Sequence, residues 1–236
     1  MNKAIATYTQ LWGLSIHATS FEISTFAAIA AFPCLDSLEL SVFLRADEIK
    51  SHLEPSRAHF PALRDFAIRA SGPVVEAILV HLPVGVLTTL QLDLEACLEG
   101  PTYMEHVFER LVEKTSDSLR ELSVQDRTKR DGLQNAETTQ WYDLNLLRSL
   151  ARLKQLRCFT LHNSDLSDDD LPILARWWPT LVHLDLGTYD RHAKVSEWKS
   201  RLTSAAHSIV KSSFPHLSSV ALPVALPPDE PRVGSQ

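Results

Sequence analysis

The amino-acid sequence predicts an α/β solenoid, in which short parallel strands line one face and helices cover the other. Three observations support this fold class. A short apolar pattern recurs along the chain, an aromatic residue and a proline precede several copies of it, and the apolar spacing between copies is helical. Each unit alone would leave an apolar side exposed, so stacked units are needed to close a continuous core.

The recurring pattern has apolar residues at its first, fourth and sixth positions, L-x-x-L-x-L. One match would carry little weight, because apolar residues are common, but many matches in order indicate a leucine-rich repeat. In a strand alternate side chains point to opposite faces, so the apolar positions face inward and the intervening positions face the concave surface. With conservative exchanges the pattern occurs eight times, starting at Leu11, Leu35, Leu63, Leu87, Leu119, Leu156, Leu181 and Leu217.

An aromatic residue followed by proline precedes four of the copies. The pairs are Phe32-Pro33, Phe60-Pro61, Trp178-Pro179 and Phe214-Pro215. Proline cannot continue a helix, and it pushes the residue before it toward extended geometry. The motif therefore predicts a helix end, an aromatic side chain in the core and then a strand.

Between the copies the apolar period changes from two to about 3.6 residues. Apolar residues recur at i, i+3, i+4, i+7 and i+8 from Met104 and again from Leu202, and Leu171 to Trp178 shows two more turns. Pro73 can open a further helix at its first turn.

Strands that alternate with helices predict parallel pairing through right-handed crossovers. We therefore predict a leucine-rich-repeat solenoid, with a curved parallel sheet on the concave face and helices on the convex face. The array of about eight repeats is expected to span residues 1–225, and the proline-rich, charged residues 226–236 to form a disordered tail. A doubly wound sheet is the rival, but the seven glycines form neither GxGxxG nor GxxxxGK.

Composition limits the function classes. The chain of 236 residues is 44% hydrophobic and has a formal net charge of -6. The negative net charge disfavours general nucleic-acid binding, which needs a basic face to neutralise phosphates. Three widely spaced cysteines without a CxxC motif suggest a reducing compartment. Neither a signal peptide nor a membrane span is evident. We expect an intracellular protein, cytoplasmic or nuclear, that binds neither nucleic acid nor membranes.

The segment from Leu166 to Leu181, with its run of aspartates and its Trp-Trp-Pro-Thr-Leu ending, resembles the repeat region of fungal F-box-type proteins. The resemblance covers the repeats from about Leu11 to Leu222. It implies the substrate-binding half of a ubiquitin ligase receptor. The F-box that docks the ligase adaptor needs three helices, whereas only ten residues precede the first repeat. We expect this chain to lack an F-box, as a fragment of a longer product or as a relative without that module.

The densest acidic cluster contains Asp165 and Asp168 to Asp170. A cation site is one interpretation, but the spacing differs from the Asp-x-Asp-x-Asp-Gly calcium loop. A helix start is favoured, because Pro172 belongs in a first turn and acids stabilise the positive helix end. This places the N-cap near Asp169 or Asp170.

Ten histidines invite a search for catalysis, but none shows metal-ligand spacing. His183 and Asp185 should share a strand face with serines from other repeats, yet no nucleophile-elbow motif accompanies them. We therefore expect no enzyme activity, no cofactor and no metal.

Partner binding is predicted on the concave face and on two inserts that follow strands. The inserts, Asp126 to Tyr142 and Thr188 to Ser200, leave the same rim and hold basic and aromatic residues, among them Arg130, Trp141, Tyr142 and Trp198. Their aromatics are either partner anchors or plugs beneath the solenoid edge. The polar face suits another protein, bound by a monomer unless an exposed terminal repeat pairs. Predicted contact residues are Glu39, Arg69, Gln91, Asp93, Gln125, Arg130, Trp141, His162, His183, Asp185 and Trp198.

Overall fold

The structure is a computed structural model that describes residues 10–18, 20–54, 59–95, 103–126, 141–187 and 200–224. Strands and helices alternate in these ranges. The strands are β1 (Gly13–Ala18), β2 (Ser37–Val42), β3 (Asp65–Ala70), β4 (Thr89–Leu94), β5 (Glu121–Asp126), β6 (Cys158–Leu161), β7 (His183–Asp185) and β8 (Ser219–Ala221). The α-helices are α1 (Ile23–Ala30), α2 (Ala46–His52), α3 (Gly72–Leu79), α4 (Tyr103–Thr115), α5 (Leu171–Trp177) and α6 (Ala206–Ser213).

All eight strands form one parallel sheet, and their spatial order is their order in the chain. Each strand corresponds to one copy of the predicted pattern, and β3 pairs with β4 in parallel register from Asp65 opposite Thr89. Consecutive helices pack side by side across the same face of the sheet. The prediction of a leucine-rich-repeat solenoid is confirmed.

The apolar pattern positions form two ladders that run through the sheet into the core. Leu38, Phe66, Leu90, Leu122, Phe159 and Leu184 occupy one register position, and Leu40, Ile68, Leu92, Val124 and Leu161 occupy the other. All of them are buried. At the two edge strands a neighbour is present on one side only, so Leu14 is half-buried and Val220 is exposed.

The aromatic–proline motif forms a turn between a helix and the next strand. The carbonyls of Phe60, Trp178 and Phe214 accept hydrogen bonds from the backbone N–H three residues later, at 3.2, 3.2 and 3.4 Å. Proline suits the second position of such a turn, since its φ is fixed near the required value. The four aromatic side chains before the prolines are buried, so the prediction that they fill the core is confirmed: Phe32, Phe60, Trp178 and Phe214.

The crossover between β5 and β6 ends in a 3₁₀ helix, Arg148–Arg152, rather than an α-helix. The reason lies in the spacing of Leu147, Leu150 and Leu153, all fully buried. A spacing of three residues matches the three residues per turn of a 3₁₀ helix, so all three side chains reach the core on one face.

The acidic cluster begins a helix, as predicted, and a 3₁₀ turn precedes that helix. Asp168–Asp170 form a 3₁₀ turn that leads into α5. The Asp170 carboxylate accepts hydrogen bonds from the backbone N–H of Ser167 at 2.8 Å and from its hydroxyl at 2.7 Å. The N-cap of α5 is Asp170, which agrees with the predicted position near Asp169 or Asp170. Ser167 caps the 3₁₀ turn that precedes α5, because Ser167 and its acidic partner bond to each other across three positions.

Candidate functional site

The polar face of the sheet is formed by the residues between the buried ladders. One register row contains Ser15, Glu39, Ala67, Gln91, Ser123, Thr160 and Asp185, and a second contains His17, Ser41, Arg69, Asp93 and Gln125. His183 lies in a third row, beside Cys158, and His162 directly follows β6. The structure therefore brings these predicted contact residues onto one surface.

Accessibility divides this surface into two classes. Glu39, Gln91 and His183 are exposed, whereas Arg69 and Asp93 are half-buried. Gln125, His162 and Asp185 are also half-buried. The exposed side chains can meet a partner directly, and the half-buried ones are held by their neighbours, so that less rotamer entropy is lost on binding.

A hydrogen-bonded group occupies the first two strands of this face. The Ser15 hydroxyl lies 2.8 Å from Glu39 Oε2 and 3.1 Å from His17 Nε2, and His17 Nε2 lies 3.5 Å from Glu39 Oε1. A hydroxyl has one proton, which the carboxylate accepts, so Nε2 of the imidazole is the donor to Ser15. A general base would need the opposite arrangement. The geometry favours a recognition group over a nucleophile.

A cleft opens beside this group where β1 to β4 end. Its volume is about 410 Å³. Phe43 stands at its margin with 72% of its surface exposed, and Arg69 Nε lies 3.5 Å from Glu95 Oε1. An exposed aromatic ring next to charged groups suits an interface side chain. The lining residues are His17, Ala18, Ser41, Val42, Phe43, Arg69 and Glu95.

Sequence reasoning missed Phe43 and Glu95 as members of this cleft. Both follow a strand directly, in loops that the repeat pattern does not describe. The available signal was Phe43 itself, since a large apolar residue after the last strand position has no place in the repeat core.

The first insert ends differently from the prediction. Tyr142 is fully buried, with its ring centroid 6.1 Å from that of Phe108. Its backbone N–H donates to the Asn163 carbonyl at 3.0 Å, and its carbonyl accepts from Asp165 N–H at 2.9 Å. The assignment of Tyr142 to a partner-binding rim is therefore wrong, because these bonds and the apolar ring fix it in the core.

The other predicted rim residues fall into two groups. Trp141 is half-buried at the point where the insert rejoins the solenoid, so part of its indole reaches the surface. Arg130 and Trp198 lie outside the described residues. The role of all three as partner contacts stays a prediction.

The thiol of Cys158, in the third row of the polar face, favours its protonated form. Burial raises the pKa of the Cys158 thiol, Glu121 acts in the same direction and Arg157 opposes it. A raised pKa keeps the sulfur protonated and weakly nucleophilic.

Over the described ranges, no three His, Cys, Asp or Glu side chains are placed to hold a metal ion. In the same ranges, every helix is too short or too polar to cross a membrane.

The fold and this surface define a leucine-rich-repeat protein with a polar sheet face. Among solved structures, the internalin InlF from Listeria monocytogenes is similar, with 13% identity, a TM-score of 0.43, and coverage of 92% of this chain and 63% of that chain. Internalin C2 from the same organism has 17% identity, a TM-score of 0.36, and coverage of 84% of this chain and 71% of that chain. No protein-family model and no curated protein sequence matches the chain.

Proposed function

We propose that this chain is a protein-recognition module that binds the surface of another protein through the polar face of its sheet. One observation carries the proposal: two rows of polar and charged side chains continue across the strands of a rigid sheet, while the apolar positions are buried beneath them. A broad polar face of mixed charge fits a folded partner better than a small apolar ligand, which needs an enclosed apolar pocket.

A more specific form of the proposal is the substrate-binding repeat region of an F-box-type ubiquitin ligase receptor, of fungal type, acting inside the cell. Its support is the resemblance of the segment from Leu166 to Leu181. The second candidate is a free-standing repeat regulator with no link to ubiquitin. This candidate needs only the polar face of the sheet, which the structure describes, and no docking module.

The polar face is tested by a charge reversal with a matched control. Glu39→Lys changes an exposed residue of the face, and Glu105→Lys makes the same change on an exposed position of α4, on the other side of the sheet. Once a partner has been identified by crosslinking and mass spectrometry, we expect Glu39→Lys to weaken binding at least tenfold and Glu105→Lys to leave affinity unchanged. Equal affinities for both variants would remove the polar face as the binding surface.

Trp141 is tested by pairing affinity with stability. Replacing a partner anchor by alanine weakens binding by about 1–3 kcal/mol, so Trp141→Ala should lower affinity. Because Trp141 is half-buried, this variant should lower the melting temperature less than Leu122→Ala does. Leu122→Ala removes a buried ladder residue and should destabilise the fold by about 2–5 kcal/mol. If Trp141→Ala unfolds the protein, Trp141 is a core plug like Tyr142.

The link to ubiquitin is tested separately with the purified ligase adaptor. We expect this chain alone not to bind it, and a fusion of the chain to an F-box to do so. Tight, saturable binding of the chain alone would mean that a docking element exists within it.

A further inference from the structure

Four cations that form no ion pair with any other described residue lie at the beginning of β5 and β6 and in the crossover between these strands. Arg120 and Arg157 directly precede β5 and β6, and Arg152 and Lys154 lie in the crossover between these strands. All four side chains are exposed. We call these four residues the basic strip. They stand out on a chain whose formal net charge is -6.

Backbone bonds hold two members of the strip side by side. The Arg157 N–H donates to the Arg120 carbonyl at 2.7 Å. Neighbouring strands lie about 4.8 Å apart, so the two guanidinium groups start from adjacent positions. Like charges at directly opposite positions of a sheet are destabilising. The arrangement is therefore unfavourable in the isolated chain.

Four other exposed arginines have carboxylate partners, whereas Arg148 and Arg176, which are also exposed, form no ion pair within the described residues. Arg45 bonds to Asp47 at 3.1 Å and Arg110 to Glu113 at 2.8 Å. In the described part of the chain, by contrast, none of the four cations of the basic strip forms an ion pair, although Asp117 and Glu121 are close in sequence to Arg120.

The helix dipole explains only part of the strip. Lys154 Nζ donates to the Trp177 carbonyl at 3.3 Å, and so stabilises the end of α5. Arg152 lies in the last turn of its 3₁₀ helix. Arg120 and Arg157 end no helix. Neighbouring like charges that no ion pair within the chain offsets are typical of a functional surface.

We propose that the basic strip binds an acidic segment of a partner protein, on a surface separate from the polar face. The guanidinium of arginine donates two parallel N–H bonds to the oxygens of one carboxylate, which gives both affinity and orientation. Four cations match a short run of Asp and Glu. A duplex nucleic acid fits less well, because it carries one negative charge per about 1.7 Å of its axis and the net negative charge of the chain would repel it.

A second copy of this chain is a poorer occupant. Its own acidic cluster is engaged internally, since Asp170 binds Ser167, Asp168 accepts the Thr203 hydroxyl at 2.5 Å, and Asp165 lies 3.7 Å from Arg201. Those carboxylates are held within their own chain.

The test uses the full chain and a labelled octaglutamate peptide. We expect saturable binding that weakens as salt is raised from about 50 to 200 mM. Arg120→Gln with Arg157→Gln should weaken it at least tenfold, and Arg120→Lys with Arg157→Lys should restore part of the affinity. The control, Arg45→Gln with Arg110→Gln, removes the same charge from exposed arginines already paired and should have little effect. Circular dichroism should show every variant folded, and the strip double variant should melt no lower than the unchanged protein, because it relieves the repulsion between Arg120 and Arg157.

Four outcomes would overturn the proposal. The first is that the peptide shows no saturable binding, and the second is that the strip double variant and the control double variant lose the same peptide affinity. The third is that an oligothymidylate of equal charge binds more tightly than the peptide and that the strip double variant abolishes this binding. The fourth is concentration-dependent self-association of the chain that the strip double variant abolishes. The third would assign the strip to nucleic acid and the fourth to a second copy. None of the four depends on whether the polar face binds its own partner.

Discussion

Two substitutions of Trp178 separate what its buried ring and what its hydrogen bond contribute to the free energy of unfolding. The indole is fully buried, its centroid lies 4.6 Å from that of Phe159, and its Nε1–H donates to the Leu150 carbonyl at 3.0 Å. Removing a buried aromatic side chain costs about 3–5 kcal/mol. We expect Trp178→Ala to fall near the upper end, because the 3₁₀ helix loses its contact with the next repeat as well.

Trp178→Phe keeps most of the ring and removes the N–H. The Leu150 carbonyl also accepts the Leu153 N–H at 3.0 Å, so it is not left unpaired when the indole is lost. The hydrogen bond itself is therefore worth about 1 kcal/mol, the typical net value for an intramolecular bond. Together with the smaller ring, we expect a loss of about 1–2 kcal/mol.

The assay is urea unfolding followed by far-ultraviolet circular dichroism. Trp12→Ala is the matched control, since Trp12 is 71% exposed and its loss should change stability by less than about 0.5 kcal/mol. If Trp178→Ala and Trp12→Ala shift the unfolding midpoint by the same amount, the aromatic–proline turn does not anchor the core.

Two further predictions concern pH and the acidic cluster. Burial lowers the pKa of His81 below its ordinary value of 6.5, and the charges of His59 and Lys114 lower it further. The unfolded chain therefore binds this proton more readily than the folded chain does. The free energy of unfolding is expected to fall as the pH drops from about 7 toward 5. His81→Gln should reduce that slope in urea titrations at several pH values, and an unchanged or steeper slope would contradict the assignment. Asp168 accepts the Thr203 N–H at 3.0 Å as well as its hydroxyl, so Asp168→Ala should cost about 1 kcal/mol in the same assay. Asp169→Ala, at an exposed neighbour, should cost less than about 0.5 kcal/mol, and equal losses would show that the cluster acts only through its charge.

The sequence was sufficient to predict the sheet because strand register follows directly from the apolar spacing. Leu90 pairs with Leu122, and Leu122 with Phe159, since each occupies the same position of its repeat. A slip by one residue would expose every ladder side chain, so the pattern alone determines the register. The polar positions of the face follow from the same alternation.

The candidate site was less predictable, because it depends on contacts between loops of unlike sequence. Tyr142 looked like a surface residue in a polar insert, and only its pairing with Asn163 and Asp165 shows that it is core. The cleft at Phe43 requires the ends of four strands to be placed together. The adjacency of Arg120 and Arg157 was similarly hidden, because they are 37 positions apart in the sequence and only the pairing of β5 with β6 brings them together.

The order of the strands gives this protein the energetics of a one-dimensional lattice. Because each strand hydrogen-bonds only to its sequence neighbours, the stability of the array is close to a sum of unit terms and nearest-neighbour terms. A substitution at β2 is therefore insulated from β6 by the intervening units. The cleft beside β1 to β4 and the basic strip beside β5 and β6 can therefore diverge independently under mutation, because a substitution in one surface leaves the units of the other intact.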